Sequence, residues 1–281
     1  MSGHFPIQSV GFKAGLNWLP ASAEWMRRGF RALFGVAGLW LGISLVAIIP
    51  LVGQTVLALI TPLLTAGVML AFDQLGEGKQ PAPGTLVAAW RDPFRRSKLL
   101  SLGIFAMLGG LVAAMVLVSW LSSQVGADAL EAAVQSPEAM AQTMAGDSLG
   151  GGLLGSGLVM VIVLAGLFFA IPLVMFGRAS TLTALATSLR AIARNWLAFV
   201  GFAIGAFAVA AGVLVMLLII SSVLTLALGN LGSLMVQVLM LIAMMLFQVL
   251  MAGAQYLAFC QIFGWSPGLE DTPDDEGEIT P

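Results

Sequence analysis

Arginine pairs four residues apart recur at three places in this chain: Arg27 with Arg31, Arg91 with Arg95, and Arg190 with Arg194. A guanidinium is a planar fork of donors that matches phosphate and carboxylate oxygens. Such pairs are suited to hold an anionic lipid headgroup or a phosphorylated ligand. On a helix the spacing would set both members of a pair on one face, so three such helices would form a basic collar. Arginines ahead of an apolar run also fix membrane topology without binding anything, and that reading stands beside the first. A second polar set, Gln237, Gln248 and Gln255, projects within roughly 20° on an ideal helix. Buried amides need partners, so this stripe faces protein or water, either as interhelical bonds or as the lining of a cavity. Asp73 comes nearest of the charged residues to lying within an apolar run. Beside Lys and Arg it reads as one half of an interfacial ion pair.

Other chemistry is excluded by counting. His4 is the only histidine and Cys260 the only cysteine. That removes a Ser-His-Asp triad inside the membrane, an internal disulfide, and any metal site built on histidines or cysteines. No Asp, Glu, Lys or Arg lies deep in an apolar run, which disfavours a proton-coupled carrier. The formal net charge is −2, which gives no reason to expect a nucleic-acid partner. The expectation is a non-enzymatic protein with no cofactor and no metal.

The elements that position these residues are membrane helices. The composition is 59% hydrophobic and 9% charged, against about 25% charged in soluble domains. The fold class expected is all-α and polytopic. Spans are predicted at about 33–49, 53–72, 99–121, 152–176, 196–228 and 233–260, the first serving as an uncleaved signal anchor. Residues 1–20 form an N-terminal tail ending at the break Pro20, and 21–262 the membrane domain. Residues 263–281, acidic from Glu270 on, are expected to be disordered. Ser22 is expected to cap an interfacial helix running through Trp25, Met26, Phe30 and Phe34. A short amphipathic segment carries Leu86 and Trp90, and a third, capped by Ser180, runs from about 181 to 194. Ser136-Pro137-Glu138 reads as a helix start. Gly229-Asn230-Leu231-Gly232 is the natural turn between the last two spans, both longer than a bilayer requires.

All 12 Lys and Arg lie before the first span, between the second and third, or between the fourth and fifth. The positive-inside rule then puts both termini in the cytoplasm. Pro62-Leu-x-x-x-Gly67 and Pro172-Leu-x-x-x-Gly177 recur at comparable places. With the arginine pairs they suggest a unit of one interfacial helix and two spans, present three times. Pro62 and Pro172 sit inside spans, as candidate kinks that either gate or simply pack. Small residues recur at helical spacing at Gly103, Ala106 and Gly110, and at Gly201, Gly205, Ala208 and Gly212, either for packing within the chain or for dimerisation.

Phe169-Ala170-Ile171-Pro172-Leu173-Val174, Ala184-Leu185, Ser188-Leu189-Arg190-Ala191 and Arg194-Asn195-Trp196 carry a resemblance. So does Phe72-Asp73-x-Leu75 with Gly78, Pro81 and Leu86. Over residues 20 to 262 the chain resembles families of bacterial multi-pass inner-membrane proteins, similar in turn to the membrane domain fused to some glycerophosphodiester phosphodiesterases. The resemblance implies a bacterial cytoplasmic-membrane location. It carries over no activity and no catalytic residues, and the phosphodiesterase domain itself is absent. The expected function is to organise or sense anionic lipid, or a partner protein or second copy, through the arginine collar. The alternative is a permease for a small amphiphilic or apolar solute, working through the glutamine stripe and the proline-bearing spans.

Overall fold

The computed structural model describes residues 6–126, 136 and 149–267. His4, Pro137-Glu138, most of the 122–150 loop and the acidic tail from 268 lie outside the described residues. Every regular element among the described residues is helical. In chain order these are α1 (Phe12–Arg28), α2 (Phe30–Ser44) with a 3-10 turn Leu45–Ile48, and α3 (Val52–Gly76). A 3-10 segment Pro83–Trp90 leads into α4 (Pro93–Val125). Then come α5 (Leu149–Met175), α6 (Thr181–Arg194), α7 (Trp196–Leu228) and α8 (Asn230–Phe263). Six stretches are long and apolar enough to cross a membrane: Phe30–Ile48, Val52–Gly76, Pro93–Gln124, Gly150–Met175, Trp196–Leu228 and Asn230–Phe263. The chain is an all-α, polytopic membrane protein.

Local signals set several boundaries. Asp92 accepts from the backbone N–H of Phe94 at 2.8 Å and of Arg95 at 3.3 Å, with Pro93 in the first turn, so α4 opens ahead of the expected position 99. Ser180 caps α6 through the Thr183 N–H at 3.4 Å. Gly229, with φ of 54°, makes the α7–α8 turn in a backbone region where a Cβ would be strained.

The N-terminal boundary moves. Pro20 lies inside α1 rather than breaking the chain, and Ser22 is a buried mid-helix residue rather than a cap. Tertiary contacts override the local signal here. Ser22 Oγ donates to the Leu250 carbonyl at 2.8 Å, and Trp18 Nε1 donates to Gln261 Oε1 at 2.8 Å, so both sides of Pro20 are pinned to α8. Gly15 lies so close to α7 that an added Cβ would overlap the Ala198 carbonyl.

The core occupies one end of the bundle, where α3, α5 and α8 finish and α4 and α7 begin. A chain of ring contacts crosses it from Trp25 through Phe72, Tyr256, Phe176, Phe259, Phe263, Phe169 and Phe199 to Trp18. The far halves of the helices are different. In α7 the buried residues are Ala198, Gly201 and Phe202, all in its first two turns, while Leu214, Ile219, Val223 and Leu226 are exposed. The 33 residues of α7 span about 50 Å, well beyond a hydrocarbon layer of about 30 Å. One length of helix therefore serves both the packed end and a long apolar stretch. Gly103, Gly201 and Gly205, from the small-residue rows, pack against other parts of the chain. Gly103 abuts the Leu59 carbonyl, and an added Cβ at Gly201 would stand 2.5 Å from the Phe12 carbonyl oxygen. Gly110 and Gly212 face open space.

Candidate functional site

The packed end carries most of the polar chemistry. Asp73, in the last turns of α3, is only 7% exposed. Its Oδ1 accepts from Tyr256 Oη at 2.6 Å and from Trp265 Nε1 at 3.1 Å. Trp265 reaches it because Gly264, in the left-handed conformation, turns the chain back after α8. Beside Asp73 is a cavity of about 220 Å³ lined by Gln74, Glu77, Lys79, Arg95 and Trp265 among others. Lys79 pairs with Glu77 at 2.6 Å. Polar groups thus converge on Asp73, and the cations among them are Arg95 and Lys79. Two carboxylates face two cations, so this pocket has no net pull on an anion.

Asp92 is a second junction. It receives Arg178 NH1 at 2.8 Å and lies 3.6 Å from Arg95 Nε. Arg178 also stands over the Phe94 ring, 5.0 Å from its centroid. Partial burial pushes the Asp92 carboxyl up, but the Phe94 and Arg95 N–H groups and the Arg178 guanidinium outweigh this and hold it below the usual carboxylate range. A depressed folded-state pKa means the stabilisation is fully present above the ordinary range and is lost as pH falls through the folded value. Asp92→Ala is expected to cost about 1 kcal/mol as a lost cap. Melting curves of wild type and variant in detergent should converge at acidic pH; a gap that persists with Asp92 protonated would refute this account.

The arginine pairs are not alike. Arg27 lies in the last turn of α1 and Arg31 in α2, with Gly29 breaking the helix between them. Arg91 follows the 3-10 segment, whereas Arg95 lies beyond the Asp92 cap in α4. Only Arg190 and Arg194 share a helix, α6, so the expected one-face geometry fails for the other two pairs. Arg27 and Arg28 both bind Glu24, at 2.9 and 3.0 Å, and their hydrogen bonds hold its carboxyl down to about 2. Arg31, Arg91, Arg190 and Arg194 are exposed and have no carboxylate partner among the described residues.

The glutamine stripe divides too. Gln237 is exposed and Gln248 half-buried. Gln255 Nε2 donates to the Phe168 carbonyl of α5. Pro172 explains why that carbonyl is available: proline has no N–H to donate four residues back. One turn earlier, Ser188 of α6 enters the same helix. Its hydroxyl donates to the Ala165 carbonyl at 2.6 Å and accepts from the Phe169 N–H at 2.9 Å. A side chain inserted into the ladder this way is a recognised cause of helix bending. Pro62 is also buried within its helix, α3. The contributions of Asp92, Arg178, Tyr256 and Trp265 were missed from sequence. Asp92-Pro93 is a readable cap signal, but nothing local marks the other three.

No family model, curated protein or solved structure matches this chain.

Proposed function

We propose that this protein is a non-enzymatic membrane protein that holds anionic lipid headgroups at the arginine-bearing rim of its packed end. By the positive-inside rule that rim, and both termini, belong on the cytoplasmic side, and the family resemblance implies that the membrane is a bacterial inner membrane. The observation that carries the reading is the contrast at the rim. Glu24 and Asp92 occupy Arg27, Arg28 and Arg178, while Arg31, Arg91, Arg190 and Arg194 stay exposed without a carboxylate among the described residues. Exposed guanidinium groups beside apolar helices suit lipid phosphates. The core behind them is filled: Met245, Val249 and Ala252, around Gln248, are all buried. Gln255 is committed to α5, which takes one member of the stripe from a permease path.

The test is native mass spectrometry of protein released from nanodiscs containing phosphatidylglycerol, with wild type beside Arg190→Ala/Arg194→Ala. At about 1 kcal/mol per surface cation, the double variant should retain the lipid roughly 30-fold less well. Matching spectra would reduce these arginines to topology signals and sink the reading.

A further inference from the structure

A second cavity, apolar and separate from the Asp73 pocket, lies where α1 gives way to α2 against the α7–α8 hairpin. It measures about 420 Å³, and its walls include Met26, Phe30, Val213, Met216, Leu246 and Phe247, with Arg27 at the edge. Phe30 is 51% exposed and Met216 52%, so the groove is open at the side. Around it α2 with its 3-10 turn, α7 and α8 are long and apolar enough to cross a membrane. Its open side is bordered by apolar side chains, Phe30 and Met216 among them.

We infer that this groove seats an acyl chain of an anionic phospholipid whose phosphate lies against the exposed guanidinium of Arg31. Size and charge select the occupant. A helix with its side chains is about 10 Å across and would fill this volume in roughly one turn, whereas an aliphatic chain is slim enough to run its length. Along the rim from Glu24 to Arg31, three arginines stand against one carboxylate, so the head end of the groove is left with net positive charge. Arg27 is tied to Glu24, and Arg31, on the other side of the Gly29 break, is exposed. The flexible thioether side chains of Met26 and Met216 adapt readily to a mobile aliphatic chain. The choice of an anionic head rests on the function proposed above; the apolar seat does not.

The experiment uses the full chain in nanodiscs with phosphatidylglycerol carrying a photoactivatable diazirine on its acyl chain, followed by peptide mapping. Label is expected on the stretches around Met216 and Leu246. Ala243→Phe, which fills the groove from α8, should lower that label about tenfold. Val213→Trp fills it from α7 and serves where the first variant does not melt like wild type. Label spread evenly over α4 at Leu108 and Leu111, and unchanged by both variants, overturns the groove site. If phosphatidylcholine with the same diazirine labels the groove equally, the anionic assignment falls. If lipid retention depends on Arg190 and Arg194 but the groove takes no label, the rim reading stands and this one is lost.

Discussion

Asp73→Ala is expected to loosen the packed end of the bundle. Asp73 is the acceptor for two donors from distant chain positions, Tyr256 Oη and Trp265 Nε1. Tyr256 is fully buried between Phe72 and Phe176, so its hydroxyl cannot turn to water when the carboxylate goes. A stranded buried donor costs about 1–3 kcal/mol, and two are stranded here, although Trp265 can swing outward. Asp73→Asn keeps one carbonyl acceptor and should lose less. The measurement is the melting temperature in detergent, joined to hydrogen exchange across the end of α8. Early exchange near Tyr256 in the alanine variant, partly restored in the asparagine variant, is the expected result. An unchanged melting temperature for Asp73→Ala would show that the node carries no stability.

Gly15→Val should detach α1. The glycine sits against the Ala198 backbone, which cannot move aside as a flexible side chain can. Overpacking of this kind costs about 1–3 kcal/mol, occasionally more. The displaced helix would also expose Trp18 and Leu19, both now buried, and break the Trp18–Gln261 and Ser22–Leu250 bonds. Since α1 forms one wall of the apolar groove, lipid labelling there should fall along with stability. Limited proteolysis reads the outcome: cleavage within residues 8–28 in the variant and not in wild type. Gly212→Ala, whose added Cβ meets nothing within 4 Å, is the control and should be neutral. Equal resistance of all three proteins would mean that α1 yields without cost.

How the site relates to the sequence follows from the range of each interaction. The Ser180 cap and the Gly229 turn involve neighbours in the chain, so they could be read in advance. The Asp92-Pro93 cap was equally local, and reading it would have shown that Arg91 and Arg95 lie on different elements. Gln255, Pro172 and Ser188 were visible as residue types, but their meeting on α5 was not: 87 residues separate Gln255 from the carbonyl it serves.

By itself the sequence determined the all-helical, six-span character. A hydrocarbon layer demands about 20 consecutive apolar residues that satisfy their own backbone, and run length is a property of the chain alone. It also shows that the positive charges lie outside the deep apolar runs. Only the tertiary structure decided that α1 passes through Pro20, that Asp73 faces Tyr256 and Trp265, and which arginines are already paired. Those outcomes depend on which apolar faces meet. Within a membrane many faces are equally apolar, so close approach at residues such as Gly15 and the matching of buried donors to acceptors make the choice.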